Sequence, residues 1–191
     1  MTLSELYVGC RTYRRFTQER IPDDVLRACL ENARISSTGA NAQTLRFICV
    51  RSPEMTAKMQ PLVKWAAALP PEIGTPKPGE QPTAFIVIVK KAGSGAFADV
   101  DVGIAAHAIV TTAWESGVGS CMMGAINRPG IAALLGVDEA DTVHLAIALG
   151  YPAHKSTIVP VPESGLLKYY VDEKRDYYVP KKTFDELVKI V

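Results

Sequence analysis

Residues 83–90, TAFIVIVK, form an apolar run that is rich in β-branched side chains and lacks polar alternation. A strand with one face in water alternates apolar and polar residues, so this run predicts a buried central strand. Residues 142–152, TVHLAIALGYP, predict a second buried strand that ends in a Gly-Tyr-Pro turn. Residues 99–117 are apolar except near their ends, which predicts a helix packed on several sides. These three segments are expected to form the centre of the fold.

Several helix starts can be recognised in the rest of the chain. Thr2 and Glu5 have the T-x-x-E spacing of a capping box, which predicts a short first helix. Pro22, followed by two aspartates, predicts the start of a second helix. Pro53 predicts a third helix that reaches about Leu69.

Two further strands and a long loop complete the expected order. Residues 46–50, RFICV, predict a strand, and residues 118–124, VGSCMMG, predict another strand or extended segment. Asn127 is expected to cap a short helix after it. Residues 70–82 contain five prolines and two glycines, which predicts a surface loop without regular structure.

Composition limits the class of protein. With 191 residues, 48% of them hydrophobic, the chain is expected to form one domain, residues 1–191, with a full core. The 21 basic and 20 acidic residues leave no overall field that would attract nucleic acid or anionic lipid. No segment resembles a secretion signal or a membrane span of roughly 20 apolar residues, so we expect a cytoplasmic protein. The four cysteines lie far apart without a C-x-x-C pair, which predicts reduced thiols and no metal site.

Positive charge is concentrated at two places. Residues 10–16, CRTYRRF, contain Arg11, Arg14 and Arg15, and Lys181 and Lys182 immediately precede a predicted helix start. Cations beside a helix N-terminus are unfavourable unless an anion lies between them, which indicates an anion site. Two solvated lysines are the alternative, and Arg15 is best explained as a solvated or structurally paired side chain.

The C-terminal tail, residues 152–191, has a different character from the rest of the chain. It is rich in proline and tyrosine and shows no helical period. Such a tail is not expected to fold alone, so it should lie across the core or across a partner subunit.

Six segments occur in a fixed order along the chain: RTYRRF, SSTGANAQTLRF, DVGIAAHAIV, GVGSCMMGAINR, LAIALGYP and VPKKTFDEL. In this order they resemble the nitroreductase family of FMN-dependent oxidoreductases. The resemblance implies an α+β fold in which helices surround a central, mainly antiparallel sheet. It also implies a homodimer with FMN at two interface sites, and a tail over residues 152–191 that clasps the partner subunit.

The resemblance assigns roles to both basic clusters. Arg11 and the hydroxyl of Thr12 match the family's phosphate ligands, and Arg14 matches the cation that faces the flavin N1 and O2 edge. A cation there favours the reduced flavin, because reduction leaves negative charge near N1. Lys181 and Lys182 match the basic pair with which the family's tail returns to the phosphate, although the family commonly has an arginine in this pair.

Residues 36–44, SSTGANAQT, resemble the segment that reaches the flavin from the partner subunit. The resemblance implies that Thr38, Asn41 and Gln43 bond to the flavin. Ser37 and Thr44 stand where prolines are frequent, so we expect a more mobile loop. An ordinary turn role for Asn41 is the alternative.

Residues 121–126, CMMGAI, are implied to pass beside flavin N5. Backbone amides near Met123 and Gly124 would approach this atom, because glycine permits a close approach. A plain core role is the alternative for Met122 and Met123, and for the side chain of Met122 the core is the expected place.

The implied reaction is ping-pong transfer of hydride from NADH or NADPH through flavin N5 to an electron-poor acceptor such as a nitroaromatic or quinone. The alternatives are reductive dehalogenation or enone reduction on the same scaffold, and a flavin-binding module without catalysis. No catalytic side chain is expected, because positioning and electrostatics suffice. His107, His144 and His154 are expected to be satisfied core or surface histidines.

Overall fold

The computed structural model of the protein describes residues 2–191, and its central sheet has four antiparallel strands in the order β1-β2-β4-β3. The strands are β1 (Leu45–Val50), β2 (Ala84–Lys90), β3 (Gly119–Met123) and β4 (Thr142–Gly150). The two apolar runs form the neighbouring central strands β2 and β4, with Ile86 opposite Ile147. The predicted α+β fold with a mainly antiparallel sheet is confirmed.

Helices cover both faces of this sheet. The helices of the chain are α1 (Leu3–Gly9), α2 (Asp23–Ile35), α3 (Pro53–Met59), α4 (Pro71–Gly74), α5 (Ala98–Glu115), α6 (Arg128–Leu135) and α7 (Phe184–Leu187). On one face, Ile86 and Ile88 pack in a core with α2 and α5. On the other face, Phe85 and Val87 pack in a second core that includes Met59 and Ile131 from α3 and α6. Burial on both sides is the reason that β2 is apolar without alternation.

The predicted starts of the first two helices are confirmed. The Glu5 amide donates to Thr2 Oγ1 at 3.2 Å, and the Thr2 amide donates to Glu5 Oε2 at 2.7 Å, which completes the capping box of α1. Helix α2 begins directly after Pro22.

The third helix begins at Pro53 as predicted, but its predicted extent to Leu69 is wrong. Helix α3 ends at Met59 and continues only as a 3₁₀ turn over Gln60–Leu62. Pro61 has no amide hydrogen to continue the α-helical ladder, so the chain changes direction there. In the following loop, residues 70–82, one helical turn forms at α4, where regular structure was not expected. Two successive prolines begin this turn, because their fixed φ suits the first helical positions.

The first part of the tail folds on its own chain. Strands β5 (Ser156–Pro160), β6 (Tyr170–Val171) and β7 (Tyr177–Lys181) form a second sheet in the order β5-β7-β6. Only 2% of Tyr177 is exposed. Beyond β7 the apolar side chains of Phe184, Leu187 and Ile190 are exposed, and contact of this end with a partner subunit stays a prediction.

A charged network joins the tail to the loop of residues 70–82. Arg175 Nη1 donates to both carboxylate oxygens of Glu80 at 3.0 and 3.1 Å, and its Nη2 donates to the Ile73 carbonyl at 3.0 Å. Arg15 Nη1 lies 3.5 Å from Glu80 Oε1, and its Nη2 donates to the Arg175 carbonyl at 2.9 Å. The structurally paired interpretation of Arg15 is therefore confirmed. The Glu80 carboxylate thus lies between the guanidinium groups of Arg15 and Arg175. It joins the arginine segment, the loop of residues 70–82 and the tail.

We expect Glu80→Gln to lower the free energy of unfolding by about 1 to 2 kcal/mol, because two arginines then lose their charged partner. Urea denaturation measures this value. Glu54→Gln is the matched control, since Glu54 forms an exposed helical pair with Lys58 at 2.6 Å and should change stability very little. Equal changes in the free energy of unfolding for the two substitutions would contradict the stabilising role of the Glu80 network.

Candidate functional site

A cleft lies where the first arginine segment runs beside the edge strand β3. Thr12 forms a parallel bridge with Ser120, and the Tyr13 amide donates to the Ser120 carbonyl at 2.8 Å. The cleft has a volume of about 250 Å³, and α1, α5, β3 and β7 contribute to its walls. Arg11 and Thr12 from one end of the chain meet Lys181 from the other end in its lining.

The charge of this cleft is positive. Arg11 Nη2 donates to the Tyr7 carbonyl at 2.7 Å, and its Nε is buried without a hydrogen-bond partner. Within residues 2–191 neither Arg11 nor Lys181 forms an ion pair, and the lining contains no carboxylate. Two cations and the Thr12 hydroxyl therefore face a common space, and this donor set suits a phosphate. The volume is smaller than the 300 Å³ or more that is common for a whole small-molecule site.

Two ring side chains, Tyr7 and His107, belong to the site although the sequence pattern does not predict them there. Their rings stack at 5.4 Å between centroids and 12° between planes, and His107 Nε2 lies 3.1 Å from the Tyr7 hydroxyl. Both rings line the cleft. One available signal is that Tyr7 precedes Arg11 by one helical turn. The contact of His107 with Tyr7 depends on how α5 packs against α1, and no residue pattern near His107 indicates it.

Arg14 lies outside the lining of the cleft. Its guanidinium carbon is 4.5 Å from the centroid of the Tyr169 ring and 4.9 Å from that of Tyr177. Its Nε is buried and has no partner among residues 2–191. Burial raises the pKa of the neighbouring Cys121 thiol to about 11, while the positive charge of Arg14 acts in the opposite direction. Arg14 is thus a cation held by aromatic rings beside β3.

Thr38 and Gln43 lie in a different groove of about 360 Å³ and do not meet the cleft within one chain. The Gly39 amide donates at 2.8 Å to Asp101, whose carboxylate is buried. Gln43 Nε2 donates to Asn41 Oδ1 at 3.2 Å. These bonds hold a loop in which Ala40, Asn41 and Gln43 have φ values of 50°, 53° and 50°. The loop has a defined conformation and carries backbone strain of roughly 1 kcal/mol for each such residue.

The side chains of Met122 and Met123 point to opposite sides of β3. Met122 is 52% exposed and lines the cleft, whereas Met123 is 4% exposed and belongs to the second core. The expectation of Met122 in the core is wrong, because alternation along the strand places its neighbour there. Gly124 is exposed, and a Cβ added there would meet no atom within 4 Å. Its backbone is therefore open to an approaching group.

Lys182 is exposed and lies outside the cleft lining, next to α7. The Thr183 amide donates to Glu186 Oε2 at 2.8 Å, so the expected cap of this short helix is present. Only the first lysine of the pair reaches the cleft within one chain.

His154 is a buried histidine with both ring nitrogens in use. Its Nε2 accepts from the Arg14 amide at 2.9 Å, and its Nδ1 donates to the Lys155 carbonyl at 2.8 Å. Burial lowers the pKa of His154 to about 4. The ring is therefore neutral at pH 7, and it fixes the backbone of Arg14. The satisfied role expected for this histidine agrees with these contacts.

Within residues 2–191, no cluster of three or more His, Cys, Asp or Glu side chains is placed to hold a metal ion. No helix of these residues combines the length and apolar character that crossing a bilayer requires.

Comparison with known proteins identifies relatives of this chain. The profile described as Nitroreductase family matches residues 9–151. Over 59 residues the chain is 30% identical to a Burkholderia lata protein provisionally named NADH dehydrogenase/NAD(P)H nitroreductase. This match covers 31% of the chain and 30% of that relative.

Two solved structures show the likeness of fold. One is a variant of an FMN- and NADPH-dependent nitroreductase from Sphigopyxis sp. strain HMH, with a TM-score of 0.72 and 14% identity over 100% of this chain and 99% of that one. The other is an FMN-dependent nitroreductase from Clostridium difficile, with a TM-score of 0.64 and 20% identity over 83% and 94% of the two chains.

The pKa of His154 predicts a pH dependence of stability. In the unfolded chain a histidine binds a proton near pH 6.5, whereas the folded protein resists protonation until about pH 4. The free energy of unfolding should be fully retained above pH 6.5 and should decrease toward pH 4, by about 2 kcal/mol at pH 5. Urea denaturation at pH 7.5 and pH 5 measures the decrease, and His154→Gln should reduce it. If the free energy of unfolding of His154→Gln fell by the same amount between pH 7.5 and pH 5, His154 would not be the cause of the decrease.

Proposed function

Because the chain belongs to the nitroreductase family, we propose that it is an FMN-dependent oxidoreductase that takes hydride from NADH or NADPH. The electrons pass to an electron-poor small molecule such as a nitroaromatic or quinone. The observation that carries this proposal is the cleft in which Arg11, Thr12 and Lys181 converge without a carboxylate partner.

The cleft is the proposed site of the FMN phosphate. A phosphomonoester carries close to two negative charges, and Arg11 with Lys181 supplies two positive charges. Arg11 offers donors in a fixed planar fork, and Thr12 adds a hydroxyl donor. The small volume of the cleft suits the phosphate end of FMN, so the ring system must lie outside it, toward Met122 and Gly124.

FMN, when bound, supplies the hydride and electron-transfer chemistry, and the residues of the chain bind and orient it. Arg14 is proposed to stabilise negative charge at the N1 and O2 edge of the flavin. The open backbone at Gly124 supports an approach of the Met123 and Gly124 amides to the flavin. Lys182 is proposed as an outer cation near the phosphate, because it follows Lys181 directly.

We also propose a homodimer in which the partner subunit completes the site. Thr38, Asn41 and Gln43 lie in a segment separate from the cleft of their own chain, so the loop is available to a second one. Helix α5 exposes Val100 and Ile104, and α1 exposes Leu3 and Val8. Adjacent apolar side chains of this kind are typical of an interaction surface. The exposed apolar end of the tail beyond β7 supports the same assembly.

The cofactor assignment predicts that the purified protein is yellow and releases FMN rather than FAD on denaturation. Lys181→Met should weaken FMN binding about tenfold, because one charged contact to the phosphate is lost. Riboflavin, which lacks the phosphate, should bind equally to the variant and the natural protein. Lys189→Met is the control for loss of a tail lysine.

Fluorescence titration of the apoprotein measures these affinities. Colourless protein that fails to bind added FMN would overturn the proposed function. Equal loss of riboflavin and FMN binding in Lys181→Met would overturn the phosphate assignment alone. Oxidation of NADH or NADPH in the presence of a quinone distinguishes the enzyme from a flavin-binding module.

The dimer predicts that a charge in the exposed face of α5 separates the subunits. Ile104 is 36% exposed on this face, and Ile104→Glu should shift the protein from dimer to monomer and weaken FMN binding with it. Ile35→Glu is the control, since Ile35 is an exposed apolar residue at the end of α2. Sedimentation velocity measures the outcome, and a natural protein that sediments as a monomer would contradict the assembly.

A further inference from the structure

Two tyrosines of the C-terminal tail hold the Arg14 side chain. The guanidinium carbon lies 4.5 Å from the Tyr169 ring centroid and 4.9 Å from that of Tyr177. The two rings are 5.9 Å apart and inclined at 42°, so they form two walls around the cation. Within residues 2–191 the side chain of Arg14 forms neither an ion pair nor a hydrogen bond. Contact with aromatic faces is therefore its principal attraction to the protein.

The rings themselves are held in place by other parts of the chain. Tyr177 is almost fully buried, and its amide donates to the Lys155 carbonyl at 2.9 Å. Its ring packs at 4.8 Å from the ring of His154, which in turn accepts from the Arg14 amide. The Tyr169 hydroxyl accepts from the Ala68 amide at 3.3 Å. The aromatic pair thus has a fixed position relative to both the backbone and the guanidinium of Arg14.

An aromatic contact, unlike a salt bridge, leaves the positive charge of an arginine uncompensated. Arg15, the next residue in the chain, faces the Glu80 carboxylate, which supplies an opposite charge beside its guanidinium. Tyrosine rings carry no net charge, so Arg14 keeps its full positive charge and its hydrogen-bond donors. A carboxylate in the place of these rings would hold the side chain equally well but would cancel its field.

We infer that Tyr169 and Tyr177 are positioning residues that aim an uncompensated Arg14 at the flavin, an inference that rests on the proposed FMN function. Through these rings, the tail of the same chain sets the reduction potential of the bound flavin. The tail therefore positions Arg14 within its own subunit, in addition to any contact with a partner. Arg14 touches the cofactor in this arrangement, and the tyrosines act through Arg14.

The test compares three single variants, each loaded with FMN. Tyr169→Leu removes one ring from Arg14, Tyr169→Phe keeps the ring and loses only the hydroxyl, and Tyr170→Leu removes the neighbouring tail tyrosine. Tyr170 is a matched control because it is an adjacent tail tyrosine whose ring stacks on Tyr178, at 5.3 Å between centroids, and not on Arg14. The readouts are the midpoint potential of bound FMN and the affinity of the apoprotein for FMN.

Tyr169→Leu should lower the preference for reduced over oxidised FMN about threefold to tenfold. This change corresponds to a midpoint potential lower by about 15 to 30 mV, since tenfold is 29.6 mV for two electrons. Tyr170→Leu should keep the natural potential, and Tyr169→Phe, which keeps the ring but loses the bond from the Ala68 amide, should change the potential less than Tyr169→Leu does. An unchanged midpoint potential in Tyr169→Leu, or an equal decrease in Tyr170→Leu, would overturn the inference. Neither result would contradict the proposed binding of FMN.

A double variant separates action through Arg14 from a general effect on the site. Arg14→Ala alone should lower the potential more than Tyr169→Leu, and adding Tyr169→Leu to it should lower the potential no further. Additive decreases would overturn the positioning role. An unchanged potential in Arg14→Ala would overturn both this inference and the flavin-edge role of Arg14. Failure of the proposed function has a different signature, namely apoprotein that binds no FMN.

Discussion

The attachment of residues 11–17 to the rest of the fold controls where the positive charge of this protein lies. On one side the segment bonds to β3 through the Tyr13 amide and the Ser120 carbonyl. On the other side it bonds to the segment that follows β4, through the Thr17 amide to the Tyr151 carbonyl and the Ala153 amide to the Arg15 carbonyl. Phe16, which is fully buried, anchors its centre. With the backbone fixed on both sides, each arginine leaves the segment in a set direction.

Three arginines within five positions consequently have three different surroundings. Arg11 faces the cleft with Lys181, Arg14 packs on aromatic rings, and Arg15 pairs with Glu80. Only the last of these charges has a compensating carboxylate within residues 2–191. Charge compensation at Arg15 adds stability, whereas its absence at Arg11 and Arg14 preserves the field that an anionic ligand would meet. The same residue type thus serves structure at Arg15, and under the proposed function it serves binding at Arg11 and Arg14.

The tail connects these surroundings. Strand β7 carries Tyr177 against Arg14 and ends at Lys181, which lines the cleft. Between β6 and β7, Arg175 reaches Glu80. One short segment therefore contacts the surroundings of all three arginines, so a displacement of the tail would change the environment of each of them.

The amino-acid sequence by itself determined the elements whose cause is local. The capping box of α1, the proline before α2 and the unbroken apolar character of β2 and β4 each depend on neighbouring residues or on a simple period, so they could be predicted. The two basic clusters were also recognisable, because charge is visible without a fold. Pro61 could have shown that α3 ends early, since its missing amide hydrogen is a local property.

Only the tertiary structure decided which side chains meet. Nothing near Arg14 in the sequence indicates that Tyr169 and Tyr177 will surround it, and Glu80 is equally remote from Arg15. Met122 and Met123 are adjacent and chemically alike, and the register of β3 against β4 alone places one in the cleft and the other in the core. Such pairings depend on how separate segments pack, where burial of apolar surface outweighs any local preference.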